Sequence, residues 1–148
     1  MTSASTEMIQ VGALSVRFLV EAGDSNESVS VFECFVPADS KMPAPHSHDA
    51  FDETIYGLKG VTTWSVAGRT LQIRPGEAAC IPRGEVHGFE NHGTEDAVFL
   101  AISSTGLMTP DYFREIHDVL ASTPGPPDLA KLADVMRRHG LTPAPPAS

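Results

Sequence analysis

Between Gly12 and Ser104 the hydrophobic positions recur in short alternating or continuous runs: GALSVRFLV, ESVSVFECFV, ETIYGLKG, VTTWSVA, RTLQI, EAACIP, VHGFEN and DAVFLAISS. Alternation with period two turns every second side chain to one face, so each run predicts a strand. Turn-forming residues separate the runs, as at Gly23-Asp24-Ser25, Ala67-Gly68-Arg69, Arg74-Pro75-Gly76, Arg83-Gly84-Glu85 and His92-Gly93-Thr94. Many short strands at near-regular spacing predict an all-β sandwich or barrel, with no amphipathic helix before Ser104.

Beyond Ser104 the period changes. Thr109 can cap a helix, Pro110 suits its first position, and Tyr112, Phe113, Ile116, Val119 and Leu120 share one helical face up to about Ala121. After the breaker STPGPP, Leu129, Leu132, Ala133 and Met136 repeat the helical spacing until Gly140 stops it. The chain therefore divides into an N-terminal extension (1–10), a β domain (11–106) and a C-terminal helical extension with its tail (107–148). The two helices are expected to lay their apolar faces on the outside of the sheet or on a second subunit. The tail LTPAPPAS is expected to be extended and loosely held.

Composition narrows the partners. With 148 residues, 41% hydrophobic and 20% charged, the chain can bury one core. A net charge of −9, with no basic stripe, excludes phosphate-backbone recognition, so no nucleic acid is expected. No apolar run is long enough to span a bilayer, and MTSASTEMIQVG lacks the basic and apolar regions of an export signal, so no membrane partner and a cytoplasmic location are expected. Cys34 and Cys80 lie in apolar runs and read as buried thiols, neither a disulfide nor a CxxC metal pair.

The chemistry concentrates in PHSHDAFDETIYGLKG. His46 and His48 are two residues apart, so in a strand both imidazoles face one point. A metal site needs further donors, and Glu53 and His87 are the available candidates. Asp52 is the competing carboxylate, although strand alternation from Glu53 turns it to the opposite face. Three imidazoles and one carboxylate suit a single divalent transition ion: iron, manganese, nickel, zinc, cobalt or copper.

At these positions the sequence resembles the cupins. His46, His48, Glu53 and Gly60 follow H-x-H-x4-E-x6-G, and Gly76, Pro82, Gly84, His87 and Asn91 follow G-x5-P-x-G-x2-H-x3-N. The Gly and Pro positions of the second motif alone match at a given start roughly once in several thousand tries. The first motif usually opens on a glycine, where this chain has Ser40. The resemblance implies a cupin-type jelly-roll β-barrel, followed here by the two short C-terminal helices, with a metal held inside by His46, His48, Glu53 and His87. Gly60, Gly76 and Gly84 would serve tight reversals, and Asn91 would bond its own turn. Phe89, Tyr56 and Trp64 are candidates for a substrate-binding wall; Phe51 lies among the ligands without an assigned role.

The functional expectation is a metal-dependent enzyme with a small-molecule substrate, in which Glu53 also acts as proton acceptor. The C-terminal helix pair makes the chain similar to the bacterial quercetinase-like group, which implies dioxygenase cleavage of flavonol or enolate-type substrates. The alternatives are an isomerase, dehydratase or hydrolase using the metal as a Lewis acid, and a non-catalytic ligand-binding module. Cupins often pair through their sheets, so a homodimer is expected.

Overall fold

The structure is a computed structural model that describes residues 6–145; the first five residues of the N-terminal extension and the last three of the tail lie outside the described residues. In chain order the strands are β1 (Ile9–Val11), β2 (Leu14–Val20), β3 (Val29–Val36), β4 (Ser40–Lys41), β5 (His46–His48), β6 (Glu53–Lys59), β7 (Thr62–Val66), β8 (Arg69–Ile73), β9 (Ala78–Ile81), β10 (His87–Asn91) and β11 (Ala97–Ser104). Helices α1 (Pro110–Ala121) and α2 (Leu129–Arg138) follow, and strand β12 (Leu141–Pro143) comes last.

Two antiparallel sheets face each other as a jelly roll. One runs β1-β2-β3-β11-β6-β9; the other runs β12-β5-β10-β7-β8, with β4 also paired to β10. Strict alternation explains why these residues form these strands: on β3, Ser30, Phe32, Cys34 and Val36 are buried, and on β11 Ala97, Phe99, Ala101 and Ser103 are. The intervening side chains make up an outer face on which Phe35 lies opposite Val98, Val31 opposite Ile102, and Leu100 opposite Tyr56.

The motif residues shape the barrel. At Gly60, φ is +64° and a Cβ would come within 2.7 Å of the Asp96 carbonyl oxygen, so a side chain would be both strained and obstructed. Asn91 is buried; its amide donates to the Val36 and Glu95 carbonyls, and its Oδ1 accepts from Gly93 N–H. The end of β3 is thereby tied to the turn between β10 and β11, the strand that carries His87 and its neighbour.

Three expectations are corrected. The tail is extended as expected, but its first three residues are not loosely held: β12 pairs with β5 in the register Leu141↔His48, Thr142↔Ser47, Pro143↔His46. Gly140 O also accepts from Asp49 N–H, and the Thr142 hydroxyl donates to Asp49 Oδ1 at 2.6 Å. The helices do not lie on the outside of the sheet; Tyr112, Phe113, Ile116, Leu132 and Met136 face the cavity between the sheets. Cys80 is exposed, because β9 turns Ile81 inward and its neighbour outward, while Cys34 is buried as expected; both thiols are free.

Helix boundaries fall where the caps and stops put them, but the faces differ in detail. Thr109 takes the N-cap position of α1 without a side-chain capping bond, whereas Asp128 caps α2 by accepting from Lys131 N–H at 3.1 Å. Val135 is buried on α2 and Leu129 is 66% exposed, since the first residue of a helix lies ahead of the packed stripe. At the junction of the helices, Glu115 receives hydrogen bonds from Arg138 and His139. No helix among the described residues is long and apolar enough to cross a membrane.

Because Leu141 is 1% exposed and holds β12 against the histidine strand, Leu141→Ala should lower the unfolding free energy by about 2–4 kcal/mol. Urea denaturation measures the loss, and faster amide exchange at Asp49 would show that it is β12 that lets go.

Candidate metal centre

The three histidines come from one sheet and the carboxylate from the sheet facing it. His46 and His48 lie on β5, which is covered by β10 on one side and β12 on the other, so the whole strand is buried. His87 opens β10 directly opposite His46. Glu53 opens β6 in the other sheet, between Ser103 of β11 and Ile81 of β9. A slip of one residue in any of these pairings would turn a donor away from the cavity.

The donors converge. The His46, His48 and His87 ligand atoms all lie within 4.8 Å of one another. His46 Nε2 and His48 Nε2 are 3.2 Å apart, and Glu53 Oε2 lies 3.3 Å from His48 Nε2 and 4.0 Å from His87 Nε2. His46 Nδ1–H donates to the Ala44 carbonyl and His87 Nδ1–H to the Glu85 carbonyl, which fixes tautomers that present unprotonated Nε2 atoms to the centre. His48 Nδ1 is buried with no partner, and its ring stacks on Phe51 at a centroid distance of 4.3 Å. Two ring nitrogens at 3.2 Å require a proton or a cation between them. This donor set of three imidazoles and a carboxylate fits one divalent transition ion.

Electrostatics point the same way. Burial, and then the neighbouring imidazoles, push His46 down to about 3 and His48 down to about 2. His87 is likewise lowered by burial. Burial pushes the Glu53 carboxyl up to about 8, so the contact between His48 and Glu53 joins two neutral groups in the metal-free protein. A bound cation would return Glu53 to its ionised form.

Around the donors lies a cavity of about 70 Å³, walled chiefly by apolar side chains. Trp64 and Phe89 line it as the sequence suggests, in edge and tilted contact with each other and with Phe99. Tyr56 does not: it is 40% exposed, because three residues along the strand from Glu53 it points to the opposite face. Asp52 also points away, its carboxylate held by Arg83 N–H and guanidinium, which keeps it well below the usual carboxylate range. His92 pairs with Glu90 at the surface. The residues that sequence reasoning missed are Phe51 and the cavity-facing side chains of α1 and α2. Helical periodicity identified the apolar stripe of each helix but not the surface it covers.

Metal binding at pH 7 should release about one proton, from Glu53, and Glu53→Gln should abolish that release. Calorimetry in two buffers of different ionisation enthalpy measures it. Stability of the metal-free protein should peak near pH 6.5. As pH rises from there toward 8 the unfolded chain holds Glu53 ionised while the fold must keep it neutral; below 6.5 the unfolded histidines bind protons that the fold excludes.

Residues 31–103 match the family described as Cupin_2: Cupin domain, a span from β3 to β11 that contains all four donors. Among solved structures, the chain is similar to KdgF from Halomonas sp. (14% identity, TM-score 0.62, covering 75% of this chain and 97% of that one). It is similar also to a predicted oxalate decarboxylase from Thermotoga maritima (24% identity, TM-score 0.60, 70% and 92%). A third is the polyketide cyclase RemF from Streptomyces resistomycificus (25% identity, TM-score 0.55, 82% and 88%). A search of curated proteins finds no significant match. With its motif spacing, its facing sheets and this family match in agreement, residues 31–103 form a cupin domain in a chain of cupin fold.

Proposed function

We propose that the protein is a metal-dependent enzyme acting on a small, largely apolar substrate of enolate or phenolate type, by oxygen-dependent cleavage of the dioxygenase kind. The observation that carries this reading is one carboxyl and three neutral imidazoles facing a cavity otherwise walled by apolar side chains. His46, His48, His87 and Glu53 would hold the ion, which supplies Lewis acidity and, if redox-active, electron transfer. Glu53 Oε2 lies beside the His48 and His87 donor atoms, where as a carboxylate it can take the acidic proton of a substrate. Trp64, Phe89 and Phe99 exclude water, so the substrate oxygen meets the site without competing solvent.

A second reading, Lewis-acid chemistry without oxygen, is favoured by the likeness to a polyketide cyclase along most of both chains. Pairing of two copies is proposed through the outer face bearing Tyr56, Leu58 and Leu100, where large apolar side chains stand partly in solvent.

Protein loaded separately with iron, manganese, nickel, cobalt, copper and zinc is assayed against small β-diketones, phenols and flavonols in an oxygen electrode. Oxygen uptake should follow substrate loss and fall about 100- to 10,000-fold in Glu53→Gln. Turnover by the zinc form without oxygen would favour the second reading, and inactivity of every form would defeat both. Leu58→Lys should shift a dimer to monomer in sedimentation analysis.

A further inference from the structure

Within the cavity wall, the polar side chains are few. His46, His48, His87 and Glu53 form the donor cluster, and Trp64 Nε1 is already occupied, donating to Thr62 Oγ1 at 2.8 Å. Apart from the thiol of Cys34, one polar group is left: the phenol of Tyr112, the only hydroxyl-bearing side chain lining the cavity among the described residues. Tyr112 comes from α1, outside residues 31–103.

Two observations mark its hydroxyl as a group built for a ligand. Tyr112 is 4% exposed, and its hydroxyl makes no hydrogen bond among the described residues, yet the oxygen is not sealed like the unpartnered hydroxyls of Ser30 and Ser103. On a side chain that lines the cavity, a hydroxyl that keeps access to open space and has no protein partner is free to bond a ligand there. Its ring is also held in place: Phe113 packs edge-on against it at 5.0 Å, and His139 at 5.5 Å, the latter fixed in turn by Glu115. A clamped ring with a free hydroxyl suits directional recognition better than core filling.

We propose that Tyr112 is a substrate-binding residue, its hydroxyl donating a hydrogen bond to the oxygen of the bound enolate or phenolate. The inference rests on the reading of the cavity as a site for small oxygen-bearing substrates and adds a residue to it. Burial and the nearby Glu53 charge raise the phenol above its ordinary range, so it stays a donor at neutral pH. The C-terminal extension thereby supplies chemistry as well as a cover. A donor placed this way also sets selectivity, because a ligand without an oxygen leaves it unpaired.

The test compares phenol and toluene as ligands of the full-length zinc-loaded protein and of Tyr112→Phe, by titration calorimetry. Wild type should prefer phenol, and Tyr112→Phe should reduce that preference about tenfold, the value of one good hydrogen bond to a charged or polarised oxygen. The melting temperature should be unchanged or higher in Tyr112→Phe, since the lost hydroxyl bonds nothing in the protein. An equal preference in both proteins, or a lower melting temperature pointing to a structural role, would overturn the inference and leave the enzyme reading standing. A wild type that binds neither ligand, or does not distinguish them, would overturn both.

Discussion

Four polar groups held together in a dry cavity are the constraint on which this structure turns. Three imidazoles and a carboxyl would each be better solvated in water, and burial forces all of them toward their neutral forms. The fold tolerates this because the cost is met by backbone hydrogen bonding. The Ala44 and Glu85 carbonyls hold two of the rings, β10 holds β5, and two sheets are needed because the carboxyl must approach from the side opposite the imidazoles. Register is thus the quantity the barrel protects. Asn91, at the far end of the His87 strand, locks it by bridging the end of β3 and the turn before β11.

The C-terminal extension completes what the barrel begins. A three-residue histidine strand covered only by β10 would present a free edge, and β12 removes it. The two helices then close the cavity with apolar side chains, which lowers its dielectric and strengthens every charge interaction inside it. The Glu115, Arg138 and His139 cluster joins the helices to each other and to the residue from which β12 departs. Lid, strap and ligand strand are therefore one mechanical unit.

Strands and donors were legible in the sequence because both depend on short-range order. Period-two alternation is local, and the spacing of His46, His48 and Glu53 encodes a strand, a turn and a second strand within eight residues. What lay hidden depends on long-range docking. Nothing local tells that LTP will pair with HSH ninety-odd residues earlier, or that the stripe of α1 meets a cavity and not an outer sheet face. Tyr56 was misplaced although alternation from Glu53 already turns it outward, whereas Cys80 sits in the run AACI, whose inward face is set by the neighbouring strand. Phe51 was visible but mute, since stacking on His48 requires a loop conformation that no periodicity describes.

The surface and the cavity make opposite demands on a substrate, and their conflict decides its charge state on arrival. A chain of net charge −9 repels anions at long range, and an apolar wall resists them at short range. On the proposed function, an acidic substrate would cross both barriers as its neutral conjugate acid and lose its proton only inside. The proton transfer would then fall to Glu53, the one carboxyl lining the cavity among the described residues, and leave the anion beside the hydroxyl of Tyr112. Selectivity then follows from acidity as much as from shape: a neutral molecule that cannot ionise gains nothing from the imidazole cluster, and one already ionised in water pays to reach it.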